Sequence, residues 1–166
     1  MGREVGRLID KKAFAEGVQA RGDMLYRIAR TMLWREADCQ DALQECVLKA
    51  WAKRHTLRDA ALFSTWLTRI LINECRSLSR KQRKYHLMAE IPQAPDRAAP
   101  DPDLQAALYQ LPLKLRLPLV LHHVEGYTLR EVAQVLGLPE PTVRGRVHQA
   151  RRAMRMELEE KEAWQA

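Results

Sequence analysis

Three groups of side chains in this chain have the types and spacing to do chemistry. Arg144, His148, Arg151 and Arg155 recur at steps of four, three and four. Arg69, Asn73, Arg76, Arg80 and Arg83 repeat the same rhythm earlier in the chain. On a helix each set falls along one face. Such a face is suited to phosphate oxygens, and an arginine can also grip a guanine edge with two hydrogen bonds. The third group, Asp41, Gln44 and Glu45 with the apolar Leu48, is acidic. Charged faces are ordinarily just solvated. However, a solvated helix usually mixes signs to gain i,i+4 pairs, and the Arg69–Arg83 stripe has one sign only.

The elements that must carry these groups are helical. From 127 to 155 the pattern is a short helix, a turn and a second helix. Thr128 with Glu131 three residues on forms a capping box. Leu129, Val132, Ala133 and Leu136 make an apolar stripe, and Gly137 stops the helix. The second helix starts near Pro139 or Glu140, since prolines are tolerated only in or before a first turn. Its buried face is Val143, Val147, Ala150 and Met154. A second helix with a cationic outer face makes a helix-turn-helix, whose N-terminal residues reach base edges in the major groove.

Upstream, Lys12 to Trp34 reads as helix, weakened by Gly17 and Gly22 to the point of dividing in two. Asp38 is expected to cap the next helix, which runs through Trp51 with Leu43, Val47, Ala50 and Trp51 inward. Arg54 to Leu62 shows no periodicity and reads as loop. A third helix spans about Ser64 to Lys84, with Phe63, Trp66, Leu67, Ile70, Leu71, Cys75 and Leu78 as its apolar face. A tryptophan in such a face is more often core than a stacking platform. Leu104–Leu111 and Leu113–Val124 are further helices, the latter interrupted or started at Pro118. The acidic tail after Glu157 is expected to fray.

Charge divides the chain more sharply than the total of +7 suggests. Residues 1–86 carry +8, residues 87–103 carry −3 and residues 104–166 carry +2. The middle segment, IPQAPDRAAPDP in its body, is an acidic, proline-rich linker. The expected architecture is therefore all-α, with two small helical domains, 1–86 and 104–166, joined by a flexible linker at 87–103. The 166 residues suffice for that. A basic chain suits a polyanionic partner. No run of 18 apolar residues exists for a membrane span. The charged N-terminus has no signal-peptide core, so the expected location is cytoplasmic. Cys39, Cys46 and Cys75 fit neither a zinc motif nor a disulfide framework and read as small buried side chains. His122 and His123, being adjacent, should point from different faces, and no metal or cofactor is expected. No P-loop, dinucleotide fingerprint, HExxH or Ser/His/Asp cluster occurs, so an enzyme is not expected.

With these pieces in place, the chain resembles bacterial sigma factors of the extracytoplasmic-function (ECF) group over about residues 14–160. DCQDALQECVLKAW and FSTWLTRILINECRSLSRKQRK resemble the family's second region. LYQLPLKLRLPLVLHHVEGYTLREVAQVLGLPEPTVRGRVHQARRAM resembles its fourth region. The resemblance implies a protein that binds core RNA polymerase, directs it to promoters and helps open DNA. Asp41, Gln44, Glu45 and Leu48 would meet the polymerase clamp coiled coil. The loop at His55 to Ala61, with His55 and Arg58, would capture a flipped-out base. With Trp66, Arg69, Asn73, Arg76, Arg80 and Arg83 it would serve the minus-10 element. Thr128, Glu140, Pro141, Thr142, Arg144, Gly145, Arg146, His148 and Arg151 would serve the minus-35 element. The linker would thread the RNA-exit path, and an anti-sigma factor is a further partner the family admits. Pro139, Pro141 and Gly145 depart from the family pattern, which has a small polar cap, a glycine or small residue, and commonly a serine there. The competing reading is a stand-alone helix-turn-helix regulator that uses only the C-terminal domain.

Overall fold

Asp10 opens the first helix, its carboxylate accepting from the Ala13 N–H at 2.8 Å. The computed structural model describes residues 9–85 and 102–165, which fall in two separate compact units. Every regular element among them is helical. The first unit contains α1 (Lys11–Ala20), α2 (Gly22–Met32), α3 (Glu36–Ala52) and α4 (Phe63–Tyr85).

The first break falls at Arg21, beside Gly22, so α1 and α2 are two helices. Gly17 stays helical for a different reason. A Cβ there would lie 2.7 Å from Cε1 of Phe63, so glycine lets the α4 ring close over α1. Asp38 does not cap α3. Arg35 holds the N-cap position, and Glu36 and Asp38 both sit in the first turn, facing the positive helix end.

The buried line of α3 is Cys39, Ala42, Cys46 and Ala50, whereas Leu43, Val47 and Trp51 are half-buried. The inward face is thus rotated towards the small residues. That rotation lets α4 pack close, and α4 is also packed against α2. Contact on two sides widens α4's own buried arc. Leu67, Leu71 and Cys75 are buried as expected, and Thr68 and Ile72 join them, while Trp66, Ile70 and Leu78 are only half-buried. Burying a leucine such as Leu67 or Leu71 contributes about 1.5–3 kcal/mol.

All three cysteines are free and buried. Loss of hydration pushes the Cys46 and Cys75 thiols up to about 12, so they behave as inert apolar fillers.

The second unit contains α5 (Pro102–Gln110), α6 (Leu113–Leu119), α7 (Leu129–Leu136) and α8 (Glu140–Gln165). Helix α5 begins at Pro102, two residues before the expected Leu104, because proline's missing N–H costs little in a first turn. The rest of the proposed linker lies outside the described residues. After α6, which contains Pro118, the chain widens into a π-helical turn at Val120–Val124 rather than continuing as α-helix. Arg116 is buried on α6. It donates to the Tyr109 carbonyl at 3.0 Å and lies over the Tyr109 ring at 4.9 Å, joining α6 to α5. Burial holds its pKa below the ordinary arginine value. The acidic tail continues α8 to Gln165.

Candidate nucleic-acid interface

The helix-turn-helix is built locally, as its sequence suggests. The Thr128 hydroxyl accepts from the Glu131 N–H at 3.2 Å, and the Glu131 carboxylate accepts from the Thr128 N–H at 2.8 Å. Gly137 ends α7 with φ +67, a left-handed conformation that costs glycine nothing. Pro139 precedes α8, and its carbonyl accepts from the N–H groups of Thr142 and Val143 at 3.0 and 3.2 Å. The two prolines therefore do not delay the helix, which starts at Glu140. Val143, Val147 and Ala150 are buried against the rest of the unit, and Met154 is half-buried. Arg144, His148, Arg151 and Arg155 are exposed on the other side, as are Pro141, Thr142 and Gly145. Arg146 is half-buried and faces away from that stripe's centre. Glu140 accepts from Arg144 at 2.9 Å, one turn along the same helix.

The π-helical turn changes the geometry of the adjacent histidines. Their rings meet at 4.6 Å between centroids, although side chains on different faces were expected. Nδ1 of His122 lies 2.7 Å from the Tyr127 carbonyl. A carbonyl only accepts, so Nδ1 carries the hydrogen. This bond ties the turn to the residue before the α7 cap. His123 is exposed, and its pKa is lowered by partial burial, then by His122 and by Arg151.

In the first unit, α4 presents Arg69, Asn73, Arg76, Arg80 and Arg83, all exposed. None of its four arginines has an ion-pair partner among the described residues. Trp66 leads the stripe by one step. It is half-buried, tilted against Phe63 at 5.8 Å between centroids, with Nε1 donating to the Thr56 hydroxyl at 3.2 Å. That bond holds the α3–α4 connection against α4.

The connection itself is more ordered than the expected plain loop. It holds two 3-10 turns, Arg54–Thr56 and Ala60–Leu62, with Leu57 buried between them and Asp59 accepting from Ala61 N–H at 2.9 Å. His55 and Arg58 are exposed on it. Loop and stripe are thus brought together through Thr56 and Trp66.

The sequence places Trp51 and Phe63 on apolar faces but does not show the contacts among them that position this surface. Phe14 packs edge-on to Trp51 at 5.1 Å and to Phe63 at 6.0 Å. Arg54 lies 4.0 Å over the Trp51 ring and donates to the Trp51 carbonyl. The three-residue spacing of Trp51 and Arg54 at a helix end was the available signal.

Asp41, Gln44, Glu45 and Leu48 are all exposed on the outer face of α3. Leu48 retains 64% exposure, an apolar side chain displayed among acids. Next to them Lys49 bridges to Glu74 of α4 at 2.8 Å, which fixes α3 against α4 from the solvent side.

Two family models match the chain. Sigma-70 region 2 covers residues 18–85, and Sigma-70 region 4 covers residues 102–154. The ECF RNA polymerase sigma factor SigM of Mycobacterium tuberculosis is 31% identical over 147 residues, spanning 86% of this chain and 75% of that protein. The chain belongs to the ECF family of RNA polymerase sigma factors.

Further relatives of this sigma factor include SigW of Bacillus subtilis, 29% identical over 90% of each chain. Among solved structures, the sigma factor RpoE bound to the anti-sigma factor NepR, from Bartonella quintana, superposes with a TM-score of 0.78. It covers 89% of this chain and 98% of that one at 24% identity, a likeness of fold. CnrH, in complex with the cytosolic domain of CnrY, superposes at 0.68 with 25% identity over 90% of each chain. A sigma factor directs RNA polymerase to promoters. The match to region 2 accounts for the first unit, which a stand-alone regulator would leave idle. No helix among the described residues is long and apolar enough to cross a membrane.

Proposed function

We propose that this sigma factor divides promoter recognition among three of its surfaces. The outer face of α3, Asp41, Gln44, Glu45 and Leu48, docks on the polymerase clamp. The α4 stripe from Trp66 to Arg83, with the His55–Arg58 loop, holds the minus-10 element as it opens. The first turns of α8, with Thr128 beside them, read the minus-35 duplex. The carrying observation is that one small helical unit exposes an acidic, leucine-bearing face on α3 and a stripe on α4 whose charges are all positive.

Opposite charges on separate faces let a single domain meet a basic protein surface and a polyanion at once. The exposed part of Trp66 and the neighbouring loop suit unstacked bases, which bind to aromatic faces beside cationic grooves. The protein supplies binding and orientation, and the polymerase performs the chemistry.

The two solved relatives are held by NepR and by the cytosolic domain of CnrY. By analogy an anti-sigma factor is proposed as a further partner, and the cytoplasm as the location.

The test is in vitro transcription with core polymerase on genomic DNA, followed by start-site mapping. Wild-type protein should yield a shared two-element promoter. Variants in each surface should fail at binding core, at opening or at minus-35 selection respectively. Specific initiation that survives loss of all three surfaces would overturn the assignment.

A further inference from the structure

Gly145 stands where nothing among the described residues requires a glycine. It lies in the interior of α8, at an ordinary helical φ. An added Cβ would meet nothing within 4 Å. Glycine weakens a helix interior because it surrenders the most backbone freedom on folding. Gly17 has its reason in the Phe63 ring above it, and Gly137 in its left-handed turn. Gly145 has neither.

What its missing side chain does create is a notch. Glu140, Pro141, Arg144, Gly145 and His148 line a shallow concavity on the exposed face of α8. Its surroundings are chemically divided. The Arg144 guanidinium is drawn back one turn to Glu140, 2.9 Å away, and so is held towards the helix N-terminus. Pro141 and Gly145 give the same concavity its apolar lining, beside Arg144 and His148.

We propose that this notch seats the C5-methyl group of a thymine in the minus-35 duplex, next to the base pair that Arg144 contacts. The proposal rests on the reading of α8 as the duplex-reading helix and names what one part of it reads. In the major groove, thymine alone among unmodified bases offers a methyl group, and apolar contact is how proteins distinguish it. A patch flanked by the Arg144 guanidinium and the His148 imidazole, and lined between them by proline and glycine, fits a methyl group better than a phosphate. Glycine at its floor allows the closest approach of helix backbone to base edge.

The test uses the holoenzyme and a duplex that it selects from a random-sequence pool. Each thymine of the minus-35 half is replaced singly by deoxyuridine, which lacks only the methyl group. Wild-type holoenzyme should lose about fourfold in affinity at one thymine, the worth of one buried methyl. Gly145→Ala should melt a few degrees higher, because alanine favours the helix. It should nevertheless bind the thymine duplex about three- to tenfold more weakly and no longer distinguish thymine from uracil at that position. Because the variant gains stability, misfolding cannot account for the loss.

The notch is overturned if no thymine is sensitive, if Gly145→Ala keeps the wild-type sensitivity, or if the selected duplexes hold no thymine in that half. Arg144→Ala and Arg151→Ala separate the two levels. If either weakens binding while the methyl scan is flat, the notch alone falls. If neither weakens binding, the reading of α8 falls and takes the notch with it.

Discussion

The stripes on α4 and α8 share their charge and their four-and-three spacing, yet their surroundings differ. The α4 arginines have no ion-pair partner among the described residues, and an aromatic side chain heads their row. The α8 stripe begins with Arg144 already held by Glu140, and its neighbours are a glycine notch and a helix N-terminus. Loose cations beside a half-buried indole suit a strand whose path changes as it melts. An oriented arginine suits a rigid duplex with fixed base edges. The first unit adds something the second lacks, an acidic face on the neighbouring helix. Under the proposed division of roles, similar stripes would take different work from what surrounds them.

The largest effect should come from erasing the acidic face while leaving both stripes intact. Asp41→Lys with Glu45→Lys should weaken core polymerase binding about 100-fold, because like charges then oppose each other across the interface. Folding stability should change by less than about 0.5 kcal/mol per exposed site. Unchanged core affinity in a pull-down titration would remove the α3 docking role.

Next, Arg76→Ala with Arg80→Ala should cut open-complex formation about 30-fold near physiological salt and lower the salt slope by about 1.5–2. Normal opening at every salt concentration would reduce the α4 stripe to a solvated face. On α8 the contrast is internal. Arg144→Ala should cost about 1.5 kcal/mol at the best promoter and little at promoters varied at the base it reads. Arg151→Ala should weaken all promoters by one common factor of about five. A matrix of single-base minus-35 variants distinguishes the two, and a uniform loss for Arg144→Ala would make it a positioning contact.

Smaller effects concern stability. Thr128→Ala should destabilise the second unit by about 1 kcal/mol through loss of its capping box, seen in thermal melting. In the first unit the folded Cys46 and Cys75 thiols ionise near 12, against an ordinary value of 9.0. The raised folded values mean that stability is fully present below pH 9 and falls as pH rises towards 12, where unfolded thiols ionise first. Denaturant titrations at pH 8 and pH 10.5 check the sign. Cys46→Ser with Cys75→Ser should reduce the slope, leaving the part that comes from Cys39 and Lys49, whose folded values are also raised.

How far each element could be read in advance depended on how local its cause is. The capping box at Thr128, the stop at Gly137 and the inward row Val143, Val147 and Ala150 all follow from residues within one or two turns. Misplaced features had distant causes. Asp38 has the chemistry of a cap, but the chain enters α3 two residues earlier. Leu43, Val47 and Trp51 are larger than the side chains that displaced them from the core. The small row Cys39–Ala42–Cys46–Ala50 won because α4 needed to come close.

Composition and spacing by themselves determined that the chain is helical, where its charged faces lie and which residues stand on them. These are properties of period and side-chain type, and no distant contact can alter them. Only the tertiary structure decided which arc of each helix is buried, that Trp66 is half-buried and tied to Thr56, and that Arg144 is held by Glu140. It also separated two helix-interior glycines that look alike in the sequence. Gly17 is required by a ring from another helix, and Gly145 is required by nothing within the described residues. Close packing is a relation between segments far apart along the chain, so a local pattern cannot contain it.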